Sequence, residues 1–200
     1  MGDLWFIIGG ARSGKSRHAE QLARDSGRAV VYVATMEPRD DESRRRVARH
    51  RASRPAEWTT VEAPLDPAAA VRASNEGACV LLDCLSLWVA NRLMALGEPP
   101  VLEATEATGA TEATEALGQL DTLESTLRAE AEALAEAAAS RSAPTVVVSN
   151  EVGAGVVPEY PLGRTYRDLL GVVNQTVAVR ATRAWLMVAG RPLELPPAER

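Results

Sequence analysis

Short apolar runs recur along this chain and alternate with longer segments in which apolar residues follow helical spacing. The runs are almost uninterrupted, which is typical of parallel strands that helices cover on both faces. The pattern predicts strands at residues 4–8, 29–34, 79–82, 145–149 and 184–188. It predicts helices at residues 16–25, 40–51, 85–95, 117–139 and 162–183.

This alternation predicts the fold class, an α/β protein with a mostly parallel, doubly wound sheet and right-handed crossovers. A chain of 200 residues suits a single domain with a substantial core, so we expect one domain over residues 1–200. In such a sheet, ligands bind at the carboxyl ends of the strands.

One segment departs from the pattern. Residues 98–121 are rich in Ala, Glu and Thr and nearly repeat themselves. We expect a variable surface excursion there, partly disordered near Gly109, which leads into an amphipathic helix. The leucines that we expect on the buried face of that helix are Leu120, Leu123, Leu127 and Leu134.

A glycine-rich loop follows the first predicted strand and precedes the first predicted helix. It fits the phosphate-binding pattern G-x-x-x-x-G-K-[ST], with Lys15 as the single lysine of the chain. This arrangement directs backbone N–H groups and a helix N-terminus at phosphate oxygens. Lys15 is expected to reach the β- and γ-phosphates, and the Ser16 hydroxyl to hold Mg²⁺.

The strand at residues 79–82 is followed by Asp83, an acid at the expected carboxyl edge of the sheet. In nucleoside triphosphatases such an acid holds Mg²⁺ beside the phosphate loop. The alternative is that Asp83 caps the helix that begins near Leu85.

Charge and composition narrow the range of functions. The net charge is −5, which argues against a general nucleic-acid binder, because phosphate neutralisation needs a basic face.

An arginine cluster at residues 44–54 is either a solvated helix face or a polyphosphate site. Cys79 and Cys84 are too few and wrongly spaced for a zinc site or a redox pair, and Cys79 lies in an apolar strand, so we expect it to be a buried structural thiol. No signal peptide or membrane span is evident, so we expect a cytoplasmic protein.

Two further features leave alternatives open. Residues 145–155 run from a strand into a polar, glycine-rich segment, which is either a substrate loop or an ordinary connection. His50 lies among arginines, and like charges disfavour its imidazolium form, so it could serve as a neutral nucleophile. The alternative for His50 is an exposed residue that the helix dipole favours at a C-terminus.

Several blocks together resemble the bifunctional adenosylcobinamide kinase / adenosylcobinamide-phosphate guanylyltransferase family of cobalamin biosynthesis. The resemblance runs from about Leu4 to Leu195, apart from the variable segment. The blocks that carry it are Gly9-Gly10-Ala11-Arg12-Ser13-Gly14-Lys15-Ser16, Val33-Ala34-Thr35, Asp40-Asp41-Glu42, His50 with Arg54-Pro55, Trp58, Thr60 and Glu62, Leu81-Leu82-Asp83-Cys84-Leu85-Ser86, residues 149–158, Arg167-Asp168 and Val173-Asn174-Gln175.

The resemblance implies a RecA-like P-loop fold and two reactions. The first phosphorylates adenosylcobinamide with a nucleoside triphosphate, ATP or GTP. The second transfers GMP from GTP to adenosylcobinamide phosphate through a guanylylated His50, with release of pyrophosphate. It also implies Mg²⁺ and a homotrimer with active sites near subunit boundaries.

The site residues that the resemblance implies fall into three groups. His50 and Lys15 are expected to be catalytic, and Ser16 and Asp83 to serve the metal. The residues expected to bind GTP are Gly9, Gly10, Ala11, Arg12, Ser13, Gly14, Lys15, Ser16, Ala34, Thr35, Met36, Arg51, Ala52, Ser53, Arg54, Glu62 and Asp83.

Three other functions compete with this one. A GTPase switch needs the guanine-reading motif N-K-x-D, which a chain whose only lysine is Lys15 cannot supply. A P-loop ATPase or GTPase module that regulates or binds a partner would form no covalent nucleotide. A kinase without the transferase activity is disfavoured, because His50 is present in its Arg-Pro-x-x-Trp context.

Overall fold

The computed structural model describes residues 2–38, 40–52, 54–96 and 110–198, and some side chains of the second and fifth helices lie outside that description. The strands are β1 (Leu4–Gly9), β2 (Val30–Ala34), β3 (Thr59–Glu62), β4 (Cys79–Asp83), β5 (Thr145–Asn150), β6 (Arg183–Val188) and β7 (Arg191–Leu195). The helices are α1 (Lys15–Asp25), α2 (Asp41–Ala52), α3 (Pro67–Ala73), α4 (Leu85–Leu96), α5 (Ala110–Ser140) and α6 (Pro161–Ala178).

Within the described residues, the strands form one sheet of seven in the order β3-β2-β4-β5-β1-β6-β7. All neighbours are parallel except β6 and β7, which form an antiparallel hairpin at one edge. The α/β class and the mostly parallel sheet are therefore confirmed. The order places β5 between β1 and β4, so the chain segments that follow these three strands meet at one edge.

Helices cover both faces of the sheet, as the uninterrupted apolar strands require. On one face, Ala19 and Ala23 of α1 pack on Ile7 and Trp185. On the other, α3, α4, α5 and α6 pack on alternate strand residues such as Phe6 and Val147. Leu127 and Leu134 of α5 are fully buried, as predicted, whereas Leu120 and Leu123 are only half-buried.

Some elements differ from the prediction. The sequence pattern missed β3, β7 and the short α3, which begins with the Asp66 carboxylate accepting a hydrogen bond of 2.9 Å from the Ala69 N–H. The predicted helix at 162–183 is too long, because α6 ends at Ala178 and the chain must turn before β6. Residues 110–121 of the predicted excursion are helical. Gly109 lies outside the described residues.

Arg141 directly follows α5, and its side chain is buried, with 1% of its surface exposed. Its guanidinium donates hydrogen bonds of 2.7–3.0 Å to the backbone carbonyls of Val71, Ser74, Asn75 and Ala78. Burial lowers the pKa of Arg141 from its ordinary value. These bonds tie the end of α5 to the connection between α3 and β4.

A membrane-crossing segment needs a long apolar helix. No helix within the described ranges combines the length and apolarity that this requires.

Candidate active site

The phosphate-loop motif adopts the strand–loop–helix arrangement that the sequence predicts. The loop connects β1 to α1, and the Ser13 N–H donates a hydrogen bond of 3.3 Å to the Gly10 carbonyl. The Lys15 ammonium donates to the same carbonyl at 3.0 Å. Because α1 begins at Lys15, its first N–H groups lie beside this ammonium, where they can bind phosphate oxygens.

The turn between β6 and β7 supports the loop from behind. The Gly190 N–H donates a hydrogen bond of 2.9 Å to the Ser13 carbonyl. Gly14 has a φ of 96°, and a Cβ built there would lie 3.1 Å from the Gly190 Cα. Glycine is therefore required at position 14 both for its backbone conformation and for this close approach.

A cavity of about 170 Å³ opens beside the phosphate loop, at the carboxyl edge of the sheet. Its walls include eight of the residues that the sequence predicts as site residues. These are Lys15, Ser16, Ala34, Met36, Arg51, Arg54, Glu62 and Asp83. The sequence prediction therefore named residues from five separate parts of the chain that the fold brings to one cavity.

The sheet register explains this convergence. Ala34 at the end of β2 lies opposite Asp83 of β4 on one side and Glu62 of β3 on the other. Gly9 at the end of β1 lies opposite Asn150 of β5. Because these strands are parallel, the predicted nucleotide contacts and the predicted metal ligand share one edge.

The Asp83 carboxylate faces a buried tyrosine rather than the first turn of α4. The Tyr32 hydroxyl donates a hydrogen bond of 2.8 Å to Asp83 Oδ2. Burial, and then the nearby Asp83 charge, raises the pKa of Tyr32 well above its usual range, so the phenol keeps its proton and remains a donor. The alternative hypothesis, that Asp83 caps the helix that begins at Leu85, does not account for this hydrogen bond with Tyr32.

Arg54 covers the other side of the same tyrosine. Its guanidinium carbon lies 3.3 Å from the centroid of the Tyr32 ring, and Nη1 donates to Thr60 Oγ1 at 3.5 Å. The Nε of Arg54 is buried and has no hydrogen-bond partner among the described residues. An arginine held this way at the cavity can bind an anionic ligand.

The arginine cluster divides between the two alternatives. Arg44 is exposed and pairs with Asp41 at 2.9 Å, as on a solvated helix face. Arg51 lines the cavity and pairs with Glu62 at 3.7 Å, and Arg54 lies on Tyr32. Among the arginines of the cluster whose side chains the structure describes, those at its C-terminal end therefore suit a polyphosphate site.

His50 lies in the last turn of α2, and its side chain and that of Ala52 lie outside the described part of the structure, as does Ser53 entirely. Val47 and Arg51 of the same helix line the cavity. The roles of His50, Ala52 and Ser53 remain predictions.

Thr35 takes a structural position. It is fully buried, its hydroxyl donates a hydrogen bond of 2.7 Å to the Cys84 carbonyl, and it accepts one of 2.8 Å from the Cys84 N–H. Asn91 donates to the Thr35 carbonyl at 2.7 Å. The Thr35 side chain joins the ends of β2 and β4, and its predicted contact with GTP remains a prediction.

The cavity also includes residues that the sequence analysis did not name as site residues. They are Tyr32, Val47, Thr60, Cys84, Leu87 and Asn150. Burial raises the pKa of Cys84 to about 11, which keeps this thiol protonated and poorly nucleophilic. The signal for Tyr32 was a phenol within an apolar strand, because a buried hydroxyl needs a polar partner.

Asn150 bears on the two interpretations of residues 145–155, of which the substrate loop remains a prediction. Its side-chain amide donates a hydrogen bond of 2.8 Å to Ser86 Oγ, and its carbonyl accepts one of 3.1 Å from Asn174. Asn150 is thus held rigidly at the cavity wall, whereas Gly153 and Gly155 beyond it are exposed. The strand end therefore belongs to the site.

Three observations bear on a metal. Ser16 and Asp83 line the same cavity, and Asp83 uses only Oδ2 in its hydrogen bond with Tyr32. Across the described ranges, no group of three or more His, Cys, Asp or Glu is arranged to hold a metal ion. One carboxylate and one hydroxyl beside a phosphate loop fit Mg²⁺, which is usually bound through few protein ligands together with substrate phosphates and water.

Comparison with known proteins identifies the family to which this chain is similar. The family described as cobinamide kinase / cobinamide phosphate guanyltransferase, CobU, matches residues 5–195. The bifunctional adenosylcobalamin biosynthesis protein CobP of Pseudomonas aeruginosa is 43% identical over 98% of this chain and 97% of its own length.

Two bifunctional adenosylcobalamin biosynthesis proteins named CobU are also similar. That of Escherichia coli K12 is 40% identical and that of Salmonella typhimurium LT2 is 38% identical, each over 92% of this chain and 95% of its own. The phosphate loop, the acid at the end of β4 and the arginine-rich end of α2 meet at one cavity. By the family match and these similarities, the chain belongs to the cobinamide kinase / cobinamide phosphate guanyltransferase family.

Proposed function

We propose that this single cavity carries out two successive reactions on a cobinamide substrate: phosphorylation of adenosylcobinamide by ATP or GTP, and transfer of GMP from GTP to the resulting phosphate. The observation that carries the proposal is the convergence of Lys15, Asp83 and the C-terminal end of α2 at one cavity. Both reactions need a bound triphosphate, so one cradle can serve both.

In the first reaction, the hydroxyl oxygen of the aminopropanol arm attacks the γ-phosphorus. A new P–O bond forms, the bond to the β-phosphate oxygen breaks, the nucleoside diphosphate leaves and the hydroxyl proton passes to solvent. The Lys15 ammonium and the N–H groups at the start of α1 bind the phosphate oxygens on which charge develops. For this to happen, Lys15 must exchange its hydrogen bond with Gly10 for one with phosphate.

In the second reaction, His50 is the nucleophile. An unprotonated ring nitrogen attacks the α-phosphorus of GTP, an N–P bond forms and pyrophosphate leaves. The phosphate oxygen of adenosylcobinamide phosphate then attacks the same phosphorus, the N–P bond breaks and the histidine is regenerated. Arg51 and Arg54 would bind the phosphates during both steps, and the covalent intermediate divides one difficult transfer into two easier ones.

Ser16 and Asp83 would hold Mg²⁺. When bound, the ion would neutralise charge on the transferring phosphates. We further infer a cytoplasmic homotrimer with sites near the subunit boundaries, which rests on the family resemblance.

The test is covalent labelling with GTP that carries the radiolabel in its α-phosphate. The protein should acquire label that is labile in acid and stable in base, as a phosphoramidate is. His50→Ala should acquire none while retaining a reduced kinase activity, because phosphoryl transfer needs only the positioned hydroxyl, the metal and the loop.

The matched control is His18→Asn, since the chain has only two histidines. His18 packs against Trp185 with 5.7 Å between ring centroids, and is not among the residues that line the cavity. This variant should label normally. Label that persists in His50→Ala, or that resists acid, would refute the histidine assignment. Nucleotide hydrolysis without any labelling would favour the alternative, a P-loop ATPase or GTPase that regulates or binds a partner.

A further inference from the structure

Tyr32 is a buried residue that contacts two different parts of the proposed site. It is 3% exposed and lies in the middle of β2. Its hydroxyl donates to Asp83 Oδ2 at 2.8 Å, while its ring face lies 3.3 Å from the guanidinium carbon of Arg54. One side chain therefore contacts both the predicted metal ligand and an arginine that follows His50 by four residues.

We propose that Tyr32 is a positioning residue that couples the metal-binding half of the site to the guanylyl-transfer half. This inference rests on the proposed function, since it takes Asp83 as the metal ligand and the end of α2 as the transferase segment. The hydroxyl fixes the rotation of the Asp83 carboxylate, and the ring supports the segment that follows α2.

The hydroxyl part follows from hydrogen-bond chemistry. A carboxylate whose Oδ2 is held by a donor at 2.8 Å presents its other oxygen in a defined direction. A phenol is an O–H donor with an ordinary pKa near 10, so it can donate to a carboxylate at neutral pH. Without it, Asp83 would be free to rotate, and the oxygen that binds the metal would lose its fixed direction.

The ring part follows from the packing of Arg54. Only two side-chain contacts locate its guanidinium among the described residues, the Tyr32 ring and the 3.5 Å hydrogen bond to Thr60. The hydrogen bond is long, so the ring is the main support. Removing the ring should release Arg54 and with it the C-terminal end of α2, whose other described anchor at the cavity is the Arg51–Glu62 pair at 3.7 Å.

Two substitutions separate the two parts. Tyr32→Phe removes the hydroxyl and keeps the ring, whereas Tyr32→Leu removes both. The matched control is Tyr166→Phe, because Tyr166 also loses one phenolic hydrogen bond, of 3.2 Å to the Ser86 carbonyl, but does not contact Asp83. All three are examined as the full-length protein with a non-hydrolysable GTP analogue bound.

The first readout is the affinity for Mn²⁺, a paramagnetic substitute for Mg²⁺, measured by electron paramagnetic resonance. Tyr32→Phe should weaken Mn²⁺ binding about tenfold, as loss of a partner behind a metal ligand does. Tyr166→Phe should bind Mn²⁺ as the wild type does. In an Asp83→Asn background, Tyr32→Phe should have no additional effect, because its effect acts through that carboxylate. Unchanged Mn²⁺ affinity in Tyr32→Phe would overturn the hydroxyl part.

The second readout is tryptic cleavage after Arg51, at its bond to Ala52, followed by mass spectrometry. Cleavage should be faster in Tyr32→Leu than in the wild type and unchanged in Tyr32→Phe. Equal rates in the two variants would overturn the ring part. If Tyr32→Leu fails to fold, cleavage is measured instead in Thr60→Ala and in the double variant Thr60→Ala/Tyr32→Phe, both of which keep the ring. Protection of the segment from trypsin in both variants supports the ring as the main contact. Loss of this protection in Thr60→Ala refutes it.

These readouts are independent of the histidine assignment. Failure of His50 to label would refute the transferase proposal and leave the Mn²⁺ result standing. Normal labelling together with unaltered Mn²⁺ affinity in Tyr32→Phe would refute the role of Tyr32 and leave the transferase proposal intact.

Discussion

Replacing Gly14 by alanine tests how closely the phosphate loop depends on the β6–β7 turn behind it. Gly14 has a φ of 96°, and Gly27, at the end of α1, has a φ of 64°. At both positions an alanine would have to adopt a left-handed backbone conformation, which lowers the free energy of unfolding by about 1–2 kcal/mol. Gly27→Ala is the matched control, because a Cβ there would have nothing within 4 Å.

The two positions differ in what a Cβ would meet. At position 14 it would lie 3.1 Å from the Gly190 Cα and 3.8 Å from the Gly190 N, so the backbone of the turn must give way. Overpacking of this kind costs a further 1–3 kcal/mol or so. We therefore expect Gly14→Ala to lose about 2–5 kcal/mol in total, against about 1–2 kcal/mol for Gly27→Ala.

The assay combines urea unfolding, followed by tryptophan fluorescence, with calorimetric titration of a non-hydrolysable GTP analogue. Gly14→Ala should also bind the nucleotide more weakly, because relief of the contact displaces the loop that holds the phosphates. Gly27→Ala should bind it normally. Equal losses of stability in the two variants, or wild-type nucleotide affinity in Gly14→Ala, would refute the reasoning.

Three further predictions follow from other contacts. Lys15→Ala should abolish both activities by several orders of magnitude, since both use one triphosphate cradle, and substantial kinase turnover in the purified variant would reveal a second nucleotide site. Arg141→Met should lower the free energy of unfolding in urea by about 3–5 kcal/mol, because it leaves buried carbonyls unpaired. The control Arg28→Met removes one exposed hydrogen bond of 3.2 Å to the Gly77 carbonyl and should lower it by under about 1 kcal/mol. Similar losses in the two variants would contradict this. Burial and then Arg183 lower the pKa of His18, so the folded state binds fewer protons than the unfolded state as the pH falls below about 6.5. The free energy of unfolding should therefore fall as the pH drops through that window. His18→Asn should flatten this pH dependence in urea titrations at stepped pH.

The sequence predicted the inner strands well because their burial on both faces leaves an uninterrupted apolar run. It missed β3 because that strand lies at the edge of the sheet and Val61 is the one apolar residue in Thr59–Glu62. It missed β7 because Pro192 and Glu194 occupy an exposed antiparallel edge. Edge strands carry a weak signal because only part of their surface is buried.

The site shows the same division between local and long-range information. Lys15 and Asp83 could be predicted because each follows a recognisable strand within a short motif. Tyr32 could not be recognised in this way, and Asn150 could be predicted only as part of a possible substrate loop, because the place of each at the cavity depends on which strands are neighbours in the sheet. That order arises from packing between segments far apart in the chain, and a linear pattern does not record it.

The hydrogen bond from Gly190 to Ser13 has a consequence for synthesis on the ribosome. The turn that supports the phosphate loop is translated long after the loop itself, because β6 and β7 follow five other strands in the chain. Until β6 and β7 emerge, the loop lacks the backbone that fixes Ser13 and faces Gly14. The nascent chain should therefore acquire its nucleotide affinity only after β7 has emerged, when the other strands of the sheet can already have formed.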